Sequence, residues 1–117
     1  MAFILKKRNT YFWPINFETP VDDGKYETLK FSCEFKRIKQ SQIEEYQKQF
    51  QDMKTALAAS RKCAKEVVVG WKDILDEENN QIEFSTKTLD LLLETPMLAQ
   101  TIAVAYIGSL NEEKAKN

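Results

Sequence analysis

Between Tyr11 and Phe17 the large residues Tyr11, Trp13, Ile15 and Phe17 alternate with smaller or polar ones. A period of two puts one face of an extended strand into a core. Pro14, which has no amide hydrogen to give to a ladder, assigns that strand to a sheet edge. The turn signal Asp22-Asp23-Gly24 follows, and alternation resumes with Leu29, Phe31, Cys33 and Phe35 on one face against Lys30, Ser32, Glu34 and Lys36 on the other. The pattern predicts a β-hairpin whose aromatic face needs a cover, because a lone two-stranded ribbon is marginal in water.

The period then lengthens. Ser41 with Glu44 three residues on fits a capping box, and Ile43, Tyr46, Phe50, Met53, Leu57, Ala64 and Val67 recur at steps of three, four and seven. That spacing predicts one continuous amphipathic helix over about 41–68, about 40 Å long at 1.5 Å per residue. Its opposite face, with Glu45, Lys48, Gln49, Asp52, Arg61, Lys62 and Lys65, reads as solvated. Gly70 is placed to end the helix, since a residue without Cβ takes the left-handed capping conformation at no steric cost.

Trp71, Ile74 and Leu75, then Asp76 to Gln81, then Ile82 and Phe84 read as two short extended pieces around a polar turn, or as an ordered loop. Ser85 is the expected N-cap of a short helix through Glu94 with Leu89, Leu92 and Leu93 on one face. Thr95 as N-cap and Pro96 at the first helical position restart the chain. In the last helix, about 96–110, Leu98, Ile102, Ala105, Tyr106 and Leu110 form one face while Met97, Ala103, Val104 and Ile107 occupy much of the other. A helix apolar nearly all round is expected to be covered on both sides, and in so short a chain that implies a partner. With no repeat and no linker, the expected fold is one α+β domain over 1–117, with 1–10 and 111–117 as flexible ends. A small antiparallel hairpin packs on a long central helix, and two shorter helices follow.

Composition narrows the chemistry. The chain has no histidine, which removes the commonest general base and the commonest zinc ligand together. Gly24, Gly70 and Gly108 are too far apart for a phosphate-cradling loop, and neither a G-x-S-x-G elbow nor a C-x-x-C pair is present. Asp73, Asp76, Glu77 and Glu78 lack the glycine and the alternating oxygens of a calcium loop, so they read as a solvated acidic turn. The expectation is no catalytic residue, no cofactor and no metal. No apolar run approaches the roughly 20 residues of a membrane span, and the basic Lys6, Lys7 and Arg8 follow the apolar start instead of preceding it as in an export signal. A cytoplasmic setting with Cys33 and Cys63 as reduced, partly buried thiols is therefore expected.

Charge is uneven. Residues 1–69 carry 13 Lys and Arg against 9 Asp and Glu, and residues 70–117 carry 4 against 9. That polarity suits head-to-tail self-association or an asymmetric protein partner. The runs Lys6-Lys7-Arg8 and Lys36-Arg37-Ile38-Lys39 give an alternative reading, a small nucleic-acid-binding regulatory protein. They are short, and solvated lysines are the better account of them.

The order Val67-Val68-Val69-Gly70-Trp71-Lys72-Asp73-Ile74, an acidic connector, Ile82 through Pro96, and a helix containing Ile102 to Ile107 resembles the family of phage tail assembly chaperones of long-tailed, siphovirus-type phages. The resemblance spans about Val67 to Ile107. It rests on the Gly70-Trp71 step, the Phe84-Ser85 pair before a leucine helix, the Leu92-Leu93 pair and Tyr106 in the last helix. Where many relatives have an Asp-Gly turn, this chain has Glu78-Asn79-Asn80-Gln81.

The resemblance implies a non-enzymatic factor, outside the mature virion and in the host cytoplasm, that keeps the tape measure protein soluble and passes it to the polymerising tail tube. It also implies a longer, C-terminally extended form made by programmed ribosomal frameshifting, through which the major tail tube protein would be reached, and it suits a homo-oligomer. The residues suggest a matching surface. Leu91, Met97, Val104 and Ile107, left over once the inward faces are used in the core, would form an apolar contact for a helical client or a sister subunit. Trp71 and Phe84 read as core anchors docking the corner onto the long helix, with Tyr106 as the aromatic anchor of the last one.

Overall fold

The computed structural model describes residues 1–3, 5 and 9–111. The alternating segments form β1 (Thr10–Val21) and β2 (Lys25–Lys36), antiparallel neighbours in the register Tyr11↔Phe35, Trp13↔Cys33, Ile15↔Phe31 and Phe17↔Leu29. This register puts the odd-numbered apolar side chains on one face. Asp23 and Gly24 both take left-handed backbone, φ 65° and 70°, which glycine and aspartate tolerate and β-branched residues resist.

A third strand, β3 (Val68–Lys72), pairs antiparallel with the other edge of β2, giving the order β1-β2-β3. β1 is the edge that Pro14 requires. Val68 to Gly70 were expected to close a helix, with an extended piece from Trp71, but three successive valines are stiff at χ1 and fit a pleated surface better than a helix. Gly70 is therefore not a left-handed helix cap. It sits within β3 opposite Glu34, where an added Cβ would lie 2.5 Å from Glu34 Oε1 and 3.3 Å from Glu34 Cβ. Glycine here permits close approach across the sheet. The pairing skips Val69, between Glu34↔Gly70 and Phe35↔Val68, the signature of a bulge.

The single long helix is replaced by two helices, α1 (Gln40–Gln51) and α2 (Ala56–Val67), joined by a corner at 52–55. Thr55 Oγ1 donates to Gln49 O at 2.8 Å, and Asp52 Oδ1 accepts from Lys54 N at 2.9 Å. α1 doubles back along α2, so that the Tyr46 hydroxyl donates to Glu66 and Gln42 Nε2 donates to Glu66 Oε2 at 3.0 Å. The helix also starts before Ser41. Lys39 is the N-cap, and its amide donates to Gln42 Oε1 at 3.2 Å.

The leucine helix α3 (Thr86–Leu92) begins at the predicted cap. Ser85 Oγ accepts from Thr88 N at 3.0 Å, and Thr88 Oγ1 accepts from Ser85 N at 2.8 Å. Leu89 and Leu93 are buried. α3 runs antiparallel to α2 through the ion pairs Arg61–Glu94 (2.9 Å) and Lys65–Asp90 (3.0 Å). The last helix, α4 (Leu98–Ser109), starts later than Thr95 and Pro96 predict, with Met97 as N-cap at φ 70°. Thr95 instead closes the turn after α3, its amide donating to Leu92 O at 3.1 Å.

α4 packs on α2 and β1 and buries Leu98, Ala99, Ile102, Ala103 and Tyr106. Ala103, expected outside, is inside because Ala59, Ser60, Cys63 and Ala64 give α2 a small-residue side. Leu110, expected inside, is exposed at the C-cap. The core joins these residues to Ile15, Phe17, Cys33, Phe35, Tyr46, Val67 and Val68. Along β2 its cover thins towards the turn: Cys33 and Phe35 are fully buried, Phe31 is half-buried, and Leu29 is exposed.

Of the ends expected to be flexible, Asn9 and Thr10 are tied in. Thr10 pairs with Lys36, and Arg37 N donates to Asn9 O at 2.8 Å. The run Lys6-Lys7-Arg8 and the tail 112–117 lie outside the described residues. Among the described residues, no helix is long and apolar enough to cross a membrane.

Candidate partner-binding surface

α4 is seated by its aromatic anchor. Tyr106 is fully buried with its ring edge-on to Phe35 at 5.0 Å. Its hydroxyl donates to Lys36 O at 2.9 Å and accepts from Ile38 N at 3.3 Å, joining the helix to the end of β2. Burial pushes the phenol up to about 12, against the lowering effect of the Ile38 amide. One helical turn on, the Tyr11 hydroxyl pairs with Ser109 Oγ at 2.6 Å. These two anchor points set which side of α4 faces outward.

That outward side carries three of the four expected contact residues, and the fourth is on α3. Leu91 (65% exposed), Met97 (62%) and Val104 (60%) stand in solvent, while Ile107 is half-buried against the core. They form more than one group. Val104 and Ile107 share a concavity of about 190 Å³ with Phe50, Gly108 and Asn111. Met97 lines another, about 340 Å³, with Leu57, Pro96 and Gln100 among its neighbours. Leu91 lines neither. The surface is an apolar strip on α4 with one outlying leucine on α3. It is extended by Leu57 and Phe50, which an unbroken helix would face inward. Leu57 is exposed because the corner at 52–55 interrupts the apolar stripe of the long helix.

Trp71 and Phe84 pack on each other, centroids 5.1 Å apart and edge-on, and the indole Nε1 donates to Ile82 O at 2.7 Å. They staple the 73–84 loop to β3 and join the core's margin, in place of docking a corner onto a long helix. The loop is a tight hairpin. Leu75 bridges Gln81, Ile82 N donates to Ile74 O at 2.8 Å, and Asp73 and Asn79 are left-handed. Asp76 Oδ1 accepts from the amides of Glu78 and Asn80 at 2.9 and 3.0 Å, so its carboxylate serves the turn's own backbone. Among the described residues, no group of three or more His, Cys, Asp or Glu is placed to hold a metal ion.

A concavity of about 470 Å³ lies between α1 and α2, where Gln42, Glu45, Gln49, Lys62, Lys65 and Glu66 surround Tyr46. Burial first, then Glu66, raises the Tyr46 phenol above its usual range. Cys33 and Cys63 are buried free thiols. Desolvation pushes both to about 12, with Glu66 adding to the effect at Cys63, and thiols held protonated are poor nucleophiles. Two basic residues have structural partners. The Arg37 guanidinium lies 4.7 Å from the Tyr11 ring centroid and the Lys72 ammonium 3.9 Å from that of Phe12. No family model, no curated protein and no solved structure matches the chain.

Proposed function

We propose that this protein is a non-enzymatic assembly chaperone of the phage tail type, binding the helix-rich tape measure protein in the host cytoplasm and releasing it to the tail tube. The observation that carries the reading is the outward strip of α4, where Met97 and Val104 lie more than half exposed beside Leu57 and Ile107. Apolar side chains presented at helical spacing fit the apolar stripe of a client helix. Release to the tube requires weak single contacts, about micromolar or −8 kcal/mol each, with many copies along an extended client supplying avidity. A longer, frameshifted product would add the segment that meets the major tail tube protein.

The test is co-expression with the tape measure protein of the same phage. Val104→Glu and Ile107→Glu are placed on the strip, with Leu91→Glu as an outlying comparison. Val104→Glu introduces a charge at an exposed position, so the fold is expected to persist by circular dichroism while client solubility falls at least tenfold. A folded Val104→Glu, Met97→Glu chain that keeps the client soluble as well as the unchanged chain would overturn the proposal.

A further inference from the structure

The corner between α1 and α2 has no residue that forces a helix to end. Asp52-Met53-Lys54-Thr55 contains neither proline nor glycine, and Met and Lys are good helix formers. The apolar spacing runs through it without a phase change: Tyr46, Phe50, Met53, Leu57, Ala64, Val67. In the folded-back form two members of that stripe are left out, Met53 at 94% and Leu57 at 64% exposure. The turn is held by short-range bonds, Thr55 Oγ1 to the Gln49 and Asp52 carbonyls and Asp52 Oδ1 to the Lys54 amide. Met53, Lys54 and the unbroken apolar spacing suit a straight helix, and the bonds made by Asp52 and Thr55 oppose it.

The α1–α2 contacts are arranged nearly symmetrically about this corner. Gln42 and Tyr46 both meet Glu66, pairs whose midpoints in sequence are residues 54 and 56. If the corner straightened, two continuous helices could lie antiparallel about a two-fold axis near residue 55. Each α1–α2 contact would then re-form between copies in the same register. The groove already offers opposite charges for that pairing, with Glu45 and Glu66 beside Lys62 and Lys65. Met53 of one copy would fall against Leu57 of the other, covering both.

We infer that the chain exchanges its N-terminal half, β1, β2 and α1, with a second copy, through straightening of 52–55 into one helix spanning 40–67. Each sheet is then completed by β3 of the other copy, because β2 travels with α1 while β3 stays with α2. The contacts are those of the single chain, so the exchange adds only the straightened corner and the Met53–Leu57 cluster, and the balance is set at the hinge. The exchanged dimer uses the corner and covers Leu57, while Met97 and Val104 on α4 stay exposed for a client.

The experiment uses the full chain, unfolded and refolded at rising concentration and analysed by light scattering on a sizing column. A dimer is expected to grow with concentration. Asp52→Ala with Thr55→Ala removes the corner's side-chain bonds and should raise the association constant roughly tenfold or more. Inserting Gly-Gly-Ser between Met53 and Lys54 relaxes the turn and should abolish the dimer. Exchange is read by co-refolding a Gln42→Cys chain with a Glu66→Cys chain and adding a short bismaleimide, to which the buried Cys33 and Cys63 are inaccessible. A covalent dimer containing one of each chain is the expected product. Two results overturn the inference: all chains, including the doubly substituted one, remain monomers, or a dimer forms in which the thiols introduced at positions 42 and 66 link only when both are on the same chain.

Discussion

Replacing Tyr106 by phenylalanine removes one oxygen from the point where α4, β2 and the start of α1 meet. The ring can keep its edge-on contact with Phe35 at 5.0 Å, so little packing is lost. What is lost is the bond to Lys36 O at 2.9 Å and the one from Ile38 N at 3.3 Å. An abandoned buried donor or acceptor costs about 1–3 kcal/mol. Both bonds here are part-buried and the second is long, so the expected loss is about 2 kcal/mol in total. For a chain of this length that lowers Tm by roughly 8 °C. Urea unfolding followed by the fluorescence of Trp13 and Trp71 should show a lower midpoint at unchanged m. Amide exchange at Ile38 should quicken beyond the global change. Tyr106→Ala, which also empties the ring's site, should cost about 3–5 kcal/mol. A Tyr106→Phe loss under about 0.5 kcal/mol, the low end for a net hydrogen bond, with Ile38 exchange unaltered would refute the assignment of this hydroxyl as the link between helix and sheet.

Ser85→Ala should cost about 1 kcal/mol and Ser85→Gly only a few tenths, because the cap bond to Thr88 N is lost in both while glycine still suits the extended cap backbone. Chemical denaturation of the two variants checks the order. Stability should also fall in alkali. Tyr106 is raised from 10.0 to about 12, and Cys33 and Cys63 from 9.0 to about 12. The folded state therefore holds these protons more tightly than the unfolded state does. Their contribution is whole below about pH 9 and is lost as pH rises from there towards 12. Urea midpoints measured from about pH 7 to 11 under reducing conditions should be level at first and then decline, and a midpoint that rises above about pH 9 would contradict the burial of these groups.

Local pattern was sufficient wherever the deciding interaction was itself local. The hairpin follows from alternation on either side of Asp22-Asp23-Gly24, the start of α3 follows from Ser85 and Thr88, and the α+β class follows from both together with the helical period of 43–67. The exposure of Met97 and Val104 was also readable, since an element apolar on every side cannot face inward all round in so short a chain. Two features were decided by distant parts of the chain. The valines at 67–69 suit either a helix end or a strand. Only the vacant edge of β2, formed more than thirty residues earlier, makes 68–72 a strand and turns Gly70 from a cap into a point of close approach to Glu34. The corner at 52–55 likewise has no breaker in its composition. It exists because α1 folded back onto α2 lets Gln42 and Tyr46 meet Glu66, a gain that no periodicity within 41–68 encodes.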